Sequence, residues 1–296
     1  MNIGIVGQGF VGSAIREGLK NFYNVRGYDL DPEKCFNLKS MNKLEELANH
    51  SDIVFVCVPT PMRKDGSCDT RILENAVKQL DEACSNAGRT NTRPIVVIKS
   101  TVPPGTTKRI SKDYINRNNN HELPDMQICF SPEFLTEANS FEDFKNQSRI
   151  IIGGDGAREV KQMFRKAFPK IPIVITKSET AEMVKYFINC FLATKVTFAN
   201  EMYQLCSEIE IDYDKVCEYV LYDERIGKSH LAVPGPDGDF GFGGHCFPKD
   251  LSAIIYLSNA LNIDSTVLSS VNEKNLKIRK NRDWEKMKGR AVSNKE

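Results

Sequence analysis

Short apolar runs alternate with amphipathic stretches through the first part of the chain. Apolar runs of this length are typical of strands buried on both faces, and their alternation with helices indicates parallel strands joined by crossovers. The pattern therefore predicts an α/β, doubly wound sheet. The predicted strands are residues 2–6, 24–28, 53–58, 95–99, 127–130, 149–153 and 171–176, with helices ending near 21, at 70–87, from 106 and at 157–168.

The pattern changes after residue 177. Residues 179–209 carry one wide apolar stripe at helical spacing, which predicts a long helix buried on much of its surface. Further helices are predicted at 251–261 and from 265, and loops at 116–124 and 233–240. We expect two domains, residues 1–177 and a mainly helical 178–296, and we expect two subunits to pair through the long helix.

A glycine fingerprint separates the first predicted strand from its helix. Gly7, Gly9 and Gly12 have the Gly-x-Gly-x-x-Gly spacing, and Asp29 ends the next strand. In a Rossmann-like sheet the glycines make the turn, admit a pyrophosphate to the helix N-terminus and let helix and strand pack. A carboxylate at the second strand accepts hydrogen bonds from the adenosine ribose and repels a 2′-phosphate, which favours NAD. The alternatives are a flavin or a degenerate copy that binds nothing.

Polar residues follow the ends of three later strands, where open α/β sheets bind ligands. Thr60 lies between two prolines after the third strand, and Thr101 follows the fourth. The Thr101 hydroxyl suits a cofactor or a water, and the alternative is a helix cap or turn. Glu133 and Glu137, after the fifth strand, suit acid–base chemistry or water positioning. Taken alone, a capped helical turn with solvated acids is the better interpretation of this pair.

Two polar residues, Lys185 and Asn189, lie four apart on the predicted long helix and share a face. Polar groups on so apolar a helix need partners, and a desolvated lysine changes its pKa readily, which suits catalysis. The alternative is a lysine whose ammonium reaches the surface.

The segment from Gly241 to Asp250 carries the most chemistry. Cys246 follows a glycine pair and precedes Lys249 and Asp250. Glycines let a backbone approach a ligand, and a cysteine beside cationic groups can hold the thiolate that acts as a nucleophile. The alternative is a glycine-rich turn before a helix, with Cys246 buried and inert.

Composition narrows the functional class. A chain of 296 residues with a net charge of +1 suits two domains without a general attraction to nucleic acid or membranes. Nine cysteines without a C-x-x-C pair argue against a disulfide framework or a metal site and favour a reducing cytoplasm. We expect no signal peptide, and no apolar run reaches the roughly 20 residues of a membrane span. Basic residues near the end predict a helix with a solvated basic face or an interaction tail.

Together these motifs resemble the UDP-glucose/GDP-mannose dehydrogenase family. The similarity runs almost end to end and in the family's order, and residues 240–244 most resemble its UDP-glucose 6-dehydrogenase branch. The segments that carry the similarity are residues 7–12, 58–61, 100–106, 131–137, Lys185 with Asn189, 225–227 and 243–250.

The resemblance implies an NAD-dependent, four-electron oxidation of the C6 alcohol of a nucleotide sugar to a carboxylate, with UDP-glucose preferred. Cys246 is implied to form a thiohemiacetal and then a thioester. Lys185 and Asn189 are implied to stabilise developing oxygen charge, and Asp250 with Thr101 to position water. The implied catalytic residues are Cys246, Lys185, Asn189, Asp250, Thr101, Glu133 and Glu137.

The resemblance also implies binding contacts and a homodimer, because Arg225 reaches the substrate of a neighbouring subunit in this family. The loop at 235–244 is implied to hold the nucleotide sugar, and Lys249 to lie on the nicotinamide side. Implied cofactor contacts are Gly7, Gly9, Phe10, Val11, Gly12, Asp29, Lys34, Pro59, Thr60, Thr101, Glu137 and Lys249. Implied substrate contacts are Glu133, Phe134, Leu135, Lys185, Asn189, Arg225, Gly235, Pro236, Phe242 and Gly243.

Two departures from the family pattern leave the substrate open. Family members continue into a third, Rossmann-like domain that closes over the nucleotide, and we expect this chain to lack it. The loop between Arg225 and Cys246 is expected to be several residues longer than usual. The alternatives are a dehydrogenase of GDP-mannose or a UDP-N-acetylhexosamine, a two-electron dehydrogenase of the β-hydroxyacid type, and an NAD-binding protein with little or no turnover.

Overall fold

The computed structural model describes residues 1–86, 93–114 and 125–294, so the loop predicted at 116–124 lies outside the described residues. The chain forms two compact units, of which the first contains Met1–Thr60 and Thr70–Lys185. The second contains Pro61–Asp69 and Tyr186–Glu296. This division differs from the boundary predicted between residues 177 and 178, because the first unit extends to Lys185 and residues 61–69 belong to the second unit.

Seven strands of the first unit form one sheet in the order β2-β1-β3-β4-β5-β6-β7. The five strands from β1 to β5 are parallel, as predicted, whereas β6 runs antiparallel to β5 and β7 is parallel to β6. An apolar run looks the same in either direction, so the sequence pattern could not show this reversal. Strands β2 and β3 flank β1, and nucleotides bind such sheets at this switch point, beyond the carboxyl ends of the strands. The strands are β1 (Asn2–Val6), β2 (Asn24–Tyr28), β3 (Ile53–Val56), β4 (Ile95–Ile98), β5 (Ile128–Phe130), β6 (Ile150–Gly154) and β7 (Ile173–Thr176).

Helices cover both faces of this sheet. Alternate residues of β3 enter opposite cores, with Phe55 in one and Val54 and Val56 in the other, which explains why the run is apolar throughout. The core around Phe55 is closed by α1 (Phe10–Leu19), α5 (Ser140–Lys145) and α6 (Ala157–Ala167). The opposite core is closed by α2 (Lys43–His50), α3 (Arg71–Asn86) and α4 (Thr106–Tyr114). The predicted α/β fold is thus confirmed, although the short helices α2 and α5 were not predicted.

The second unit is mainly helical, as predicted. It contains most of α7 (Ser178–Glu208), together with α8 (Tyr213–Val220), α9 (Cys246–Ala260) and α10 (Thr266–Ile278). Helix α7 agrees with the predicted span, whereas α8 was not predicted. One core cluster joins α7, α9 and α10 around Leu251, and another joins α7 to α8 around Tyr213. Among the described residues, no helix combines the length and apolar character needed to cross a bilayer.

Helix α9 begins five residues earlier than the sequence suggested, at Cys246 instead of near 251. Pro248 misled the prediction, because proline usually interrupts a helix. It is tolerated here because it lies in the first turn, where backbone N–H groups have no acceptor within the helix. Cys246 therefore occupies the first turn of a helix and not a preceding loop.

The end of the described chain departs in part from what was predicted for it. Helix α10 stops at Ile278, and Arg279 is buried, whereas Lys277, Lys280 and Arg282 are exposed as a solvated basic face requires. Backbone bonds of 2.8 Å then join Met62 to Ala291 and to Ser293. The periodicity of the basic residues gave no sign of these partners, which lie far away in sequence.

Glu182, on the first turns of α7, closes the N-terminus of α4. Its carboxylate accepts the N–H of Gly105 at 2.6 Å and that of Thr107 at 2.8 Å. Burial raises the pKa of Glu182 despite these bonds. The contact anchors the loop after β4, which carries Thr101.

Candidate active site

The glycine turn after β1 has the geometry that a dinucleotide requires. Gly7 has a φ of +90°, and a Cβ there would lie 2.6 Å from the Cys57 carbonyl oxygen. A Cβ at Gly12 would collide with the Gly7 carbonyl oxygen. A Cβ at Gly9 would have no described heavy atom within 4 Å, so only this glycine opens onto free space, at the N-terminus of α1. Residues 7–12 thus fit a pyrophosphate on the amide groups of α1.

Asp29 lies beside this turn at the end of β2. Its carboxylate accepts the N–H of Gln8 at 2.7 Å and that of Asp31 at 3.0 Å, which fixes its orientation. Lys34 is exposed and forms a 3.2 Å ion pair with Asp31. Phe10 and Val11 are half-buried in the first turn of α1. The ribose contact of Asp29 and the cofactor contacts of the other three remain predictions.

Hydrogen bonds join the loops that follow β3 and β4. The Thr60 hydroxyl donates to the Thr101 carbonyl oxygen at 2.7 Å, and both residues are buried. The Ser100 hydroxyl donates to the Val58 carbonyl oxygen at 2.6 Å. Thr101 lies five residues before the start of α4, so it is not the cap of that helix. Pro59, between these contacts, is exposed.

A buried charge cluster lies at the same end of the sheet. Lys185 on α7 forms a 2.9 Å ion pair with Glu133, whose other oxygen accepts the Leu135 N–H at 2.7 Å. Lys99, at the end of β4, donates to the Pro132 carbonyl oxygen at 2.9 Å. Because Lys185 and Glu133 are both buried, the surface lysine and the solvated acid considered as alternatives are wrong for these two residues. Glu137, in contrast, is exposed.

The pKa values in this cluster follow from its contacts. Burial alone would raise the pKa of Glu133, but Lys185, the Leu135 N–H and Lys99 outweigh it and lower that pKa. Burial lowers the pKa of Lys99 to about 8, although nearby acidic groups oppose the shift. Glu133 is therefore a carboxylate at neutral pH, and Lys99 can change its charge near pH 8.

A cavity of about 280 Å³ opens beside the cluster. Lys99, Glu133, Leu135 and Val11 contribute to its wall. Phe134 also lines it, with the Arg149 guanidinium 4.3 Å from the centroid of its ring. The predicted substrate residues 133–135 thus line one cavity within the first unit.

In the second unit, Cys246 lies in the first turn of α9 and is half-buried. Its Sγ is 3.3 Å from Nε2 of His245. N–H groups at a helix N-terminus stabilise negative charge on sulfur. The partial exposure contradicts a sealed and inert cysteine. His245 was not singled out in the sequence, although its position next to the thiol was visible.

In the first two turns of α9, Lys249 and Asp250 form a buried polar network with Asn189 of α7. Nδ2 of Asn189 donates to Asp250 at 2.6 Å, and the Lys249 ammonium contacts the other oxygen of Asp250. Burial would lower the pKa of Lys249, but the Asp250 carboxylate outweighs it and the pKa lies above its usual value. Asn189, Lys249 and Asp250 are thus brought together within one unit.

The predicted substrate residues of the second unit differ in their exposure to solvent. Phe242 is a core residue, and both of its backbone polar groups bond Asn275. Arg225 is exposed and pairs with Asp223. The Gly235 N–H donates to the Asp239 carbonyl oxygen at 2.9 Å, and Pro236 is exposed. Their substrate contacts, and that of Gly243, remain predictions.

Comparison with known proteins settles the family. Residues 32–171 match the UDP-glucose/GDP-mannose dehydrogenase family, NAD binding domain, and residues 179–277 match that family's central domain. The chain belongs to this family. The match to the NAD binding domain begins at residue 32, after the glycine fingerprint at residues 7–12. The fingerprint and the family match therefore indicate an NAD site from different residues. The predicted cofactor, NAD, is confirmed at the level of the family.

Individual relatives agree with the family. The chain is 32% identical to the UDP-glucose 6-dehydrogenase of Rickettsia prowazekii (strain Madrid E), covering 93% of this chain and 67% of that protein. It is 32% identical over 241 residues to the putative UDP-glucose 6-dehydrogenase YtcA of Bacillus subtilis (strain 168), covering 80% and 53%. A solved UDP-glucose dehydrogenase from Pyrobaculum islandicum superposes with a TM-score of 0.80 at 29% identity, covering 93% of this chain and 68% of that one. The chain spans about half the length of several curated relatives that it matches.

Proposed function

We propose that this protein oxidises the C6 alcohol of a nucleotide sugar to a carboxylate, with UDP-glucose as the preferred substrate. The observation that carries the proposal is the half-buried Cys246 in the first turn of α9, the helix that also carries the Lys249–Asp250 pair bonded to Asn189. A two-electron dehydrogenase needs no such nucleophile. The family and the relatives support the same class of substrate.

The electron count explains why a thiol is needed. Held at the glycine turn of residues 7–12, NAD would supply the two-electron acceptor for each of two rounds of oxidation. The first round turns the alcohol into an aldehyde, to which the Cys246 thiolate adds through a new carbon–sulfur bond, giving a thiohemiacetal. Oxidation of this adduct gives a thioester, and water then breaks the carbon–sulfur bond, releasing the carboxylate and the thiolate. The covalent bond keeps the aldehyde from escaping between rounds.

The remaining polar residues are assigned by their chemistry. We assign stabilisation of oxygen charge to Lys185 and Asn189, because an ammonium and an amide both donate hydrogen bonds. Asp250 is assigned to the water that attacks the thioester, because a carboxylate can accept a proton from it. The role implied for Thr101 stays a prediction. Glu133 holds the Lys185 ammonium in place, and Glu137 supports the hydrolytic step.

Replacing the thiol tests the proposal most directly. Wild type should form two NADH per UDP-glucose consumed, because four electrons leave the sugar. Cys246→Ser should lose this full turnover and stall at the aldehyde, which a carbonyl reagent would trap. Cys217→Ser changes another partly exposed cysteine, on α8, and serves as the matched control.

The same assay also covers the alternatives. Full turnover by Cys246→Ser would eliminate the covalent mechanism, and bound NAD without turnover of any nucleotide sugar would favour a binding role. Faster oxidation of GDP-mannose or a UDP-N-acetylhexosamine than of UDP-glucose would make that nucleotide sugar the preferred substrate.

The open position at Gly9 allows a separate test of the NAD site. Gly9→Val should place its side chain in the space proposed for the pyrophosphate and weaken NAD binding at least tenfold, a change of about 1.4 kcal/mol or more. Because the position has no described neighbour within 4 Å, the unfolding midpoint should stay close to wild type. Titration calorimetry with NAD measures the affinity, and unchanged affinity would remove the pyrophosphate from this turn.

We further propose a homodimer in a reducing cytoplasm. Large apolar side chains recur along one exposed side of α7, at Phe187, Phe191, Phe198 and Leu205, between 53% and 68% exposed. Such a stripe favours a protein–protein interface. Sedimentation of Phe198→Glu should show a shift toward the monomer, and an unchanged mass would place the interface elsewhere. The nine free thiols favour the reducing compartment.

A further inference from the structure

Arg279 is the most deeply buried guanidinium in the second unit among the described residues, with 1% of its side chain exposed. A buried guanidinium needs acceptors for its donors, because an unpaired buried charge is strongly unfavourable. It contacts Asp237 at 2.5 Å, and its Nε donates to the Asn281 carbonyl oxygen at 2.8 Å. Carboxylates of Asp239 and Asp283 lie at 3.6 and 3.8 Å.

The same carboxylates also accept backbone N–H groups that link the loop before Cys246 to the segment after α10. Asp239 accepts the N–H of Asn281 at 2.9 Å. Asp283 accepts the N–H of Gly244 with both oxygens at 3.1 Å. One charge cluster therefore ties the start of the loop and its last glycine to the segment that follows α10.

The middle of the loop is held by two buried amides. Asn275 bonds both the N–H and the carbonyl oxygen of Phe242, at 2.8 and 3.0 Å. Asn200 accepts the N–H of Gly241 at 3.0 Å. A Cβ at Gly241 would collide with the Asn275 side chain, and one at Gly243 would collide with Arg279. These glycines thus let the loop lie close to its anchors.

We propose that Arg279, Asp237, Asp239 and Asp283, here called the arginine latch, are positioning residues that hold residues 237–244 in the conformation that binds the nucleotide sugar and leads into Cys246. The identity of that ligand rests on the proposed function. A planar guanidinium suits this role better than an ammonium, because its fixed fork can bond a carboxylate and carbonyl oxygens at once. Loosening the latch leaves the chemistry of Cys246 intact but lowers the fraction of loops ready to bind, so it acts on KM more than on kcat.

The experiment changes the partly exposed carboxylates and keeps Arg279, because its buried side chain also fills space in the second unit. Asp237→Asn and Asp239→Asn each keep the side-chain shape, and the double variant removes two of the three counter-charges. Glu218→Gln, which breaks an exposed 2.9 Å pair with Lys215 on α8, is the matched control. Three readouts follow the loop: chymotryptic cleavage after Phe240, the rate of Cys246 alkylation by iodoacetamide relative to Cys217, and the KM and kcat for UDP-glucose.

The double variant should be cleaved after Phe240 about tenfold faster, because a local opening that costs about 1.4 kcal/mol less is ten times more populated. Alkylation of Cys246 should change several-fold while that of Cys217 stays constant. The KM should rise about tenfold with kcat within twofold of wild type. Asp237→Glu keeps the charge, so each of these changes should be much smaller in Asp237→Glu than in Asp237→Asn.

Each outcome decides a separate point. A lower unfolding midpoint with unchanged cleavage and alkylation would show a merely structural cluster and overturn the latch. A fall in kcat with unchanged KM would overturn its role in binding. If cleavage and alkylation respond but no nucleotide sugar is oxidised even by wild type, the latch stands and the proposed function fails.

Discussion

Two buried lysines, one in each unit, have pKa values that shift in opposite directions. Lys99 and Lys249 are 6% and 9% exposed. Lys99 donates to a carbonyl oxygen and to the Ser131 hydroxyl, and its pKa falls to about 8 because burial dominates. Lys249 contacts the Asp250 carboxylate directly, and its pKa rises although burial opposes the charge. The charge of a buried lysine thus depends on a touching carboxylate more than on depth.

The comparison separates two functions for the same side chain. Lys249 remains an ammonium throughout the neutral range and stays paired with Asp250, shortly after Cys246 on the same helix. Lys99 can release its proton near pH 8, so the charge beside the Glu133–Lys185 pair depends on pH. Removing one member of each cluster tests this difference.

The largest effect is expected for Asp250→Asn, which leaves the Lys249 ammonium buried without a counter-charge. Breaking a buried ion pair from one side costs about 3–5 kcal/mol in the free energy of unfolding. Urea unfolding measures the loss, and Asp214→Asn, an exposed carboxylate on α8, is the control. Adding Lys249→Met should return part of the stability. No recovery in the double variant would show that Asp250 acts through Asn189 and not through the lysine.

A smaller loss, about 2–3 kcal/mol, is expected for Glu133→Gln. Glutamine can still accept the Leu135 N–H, but Lys185 and Lys99 both lose the nearby negative charge. The pKa of Lys99 should therefore fall further below 8. Unfolding curves at several pH values measure both changes. A pKa of Lys99 that stays the same would mean that its carbonyl partners alone decide its charge.

The smallest effect is a pH slope. Between about pH 8 and 10.4, Lys99 has released its proton in the folded protein but still binds it in the unfolded chain, where the pKa of lysine is near 10.4. The cost of burying the charge is then relieved in the folded state, so the free energy of unfolding of wild type rises with pH across this window. Below pH 8 both states are protonated and the cost is constant. Relative to Lys99→Met, wild type should gain at most about 1.4 kcal/mol per pH unit. Urea unfolding at pH 7, 8 and 9 measures the gain, with exposed Lys112→Met as the control, and parallel curves would contradict the shift.

The local pattern of apolar and polar residues was sufficient to predict the helices and strands whose periodicity is strong. The buried strands and α7 could be predicted because apolar spacing reports burial directly. It failed at α9, where Pro248 is tolerated only because of its place in the first turn. It also failed at Arg279, because two of its three carboxylate partners, Asp237 and Asp239, lie about 40 residues earlier in a loop rich in glycine and proline.

The residues of the candidate site also fall into those that the sequence could identify and those that it could not. Cys246, Lys185, Asn189 and Asp250 could be found because each is a polar residue in an otherwise apolar or glycine-rich context. Lys99 could not be distinguished in sequence from any lysine after a strand, because its burial depends on the loop at 131–135 folding over it. Partners that determine charge come from tertiary structure, which spacing along the chain does not encode.

Residues 61–69 belong to the second unit although both of their flanks belong to the first. A gene fragment ending at residue 185 would therefore express nine residues stripped of their partners, with the Met62 backbone groups facing water instead of Ala291 and Ser293. A fragment starting at residue 186 would lack the matching piece. The two halves are interleaved in the polypeptide, so they cannot be cloned apart at a single cut, and co-expression of complementary fragments is the appropriate way to dissect them.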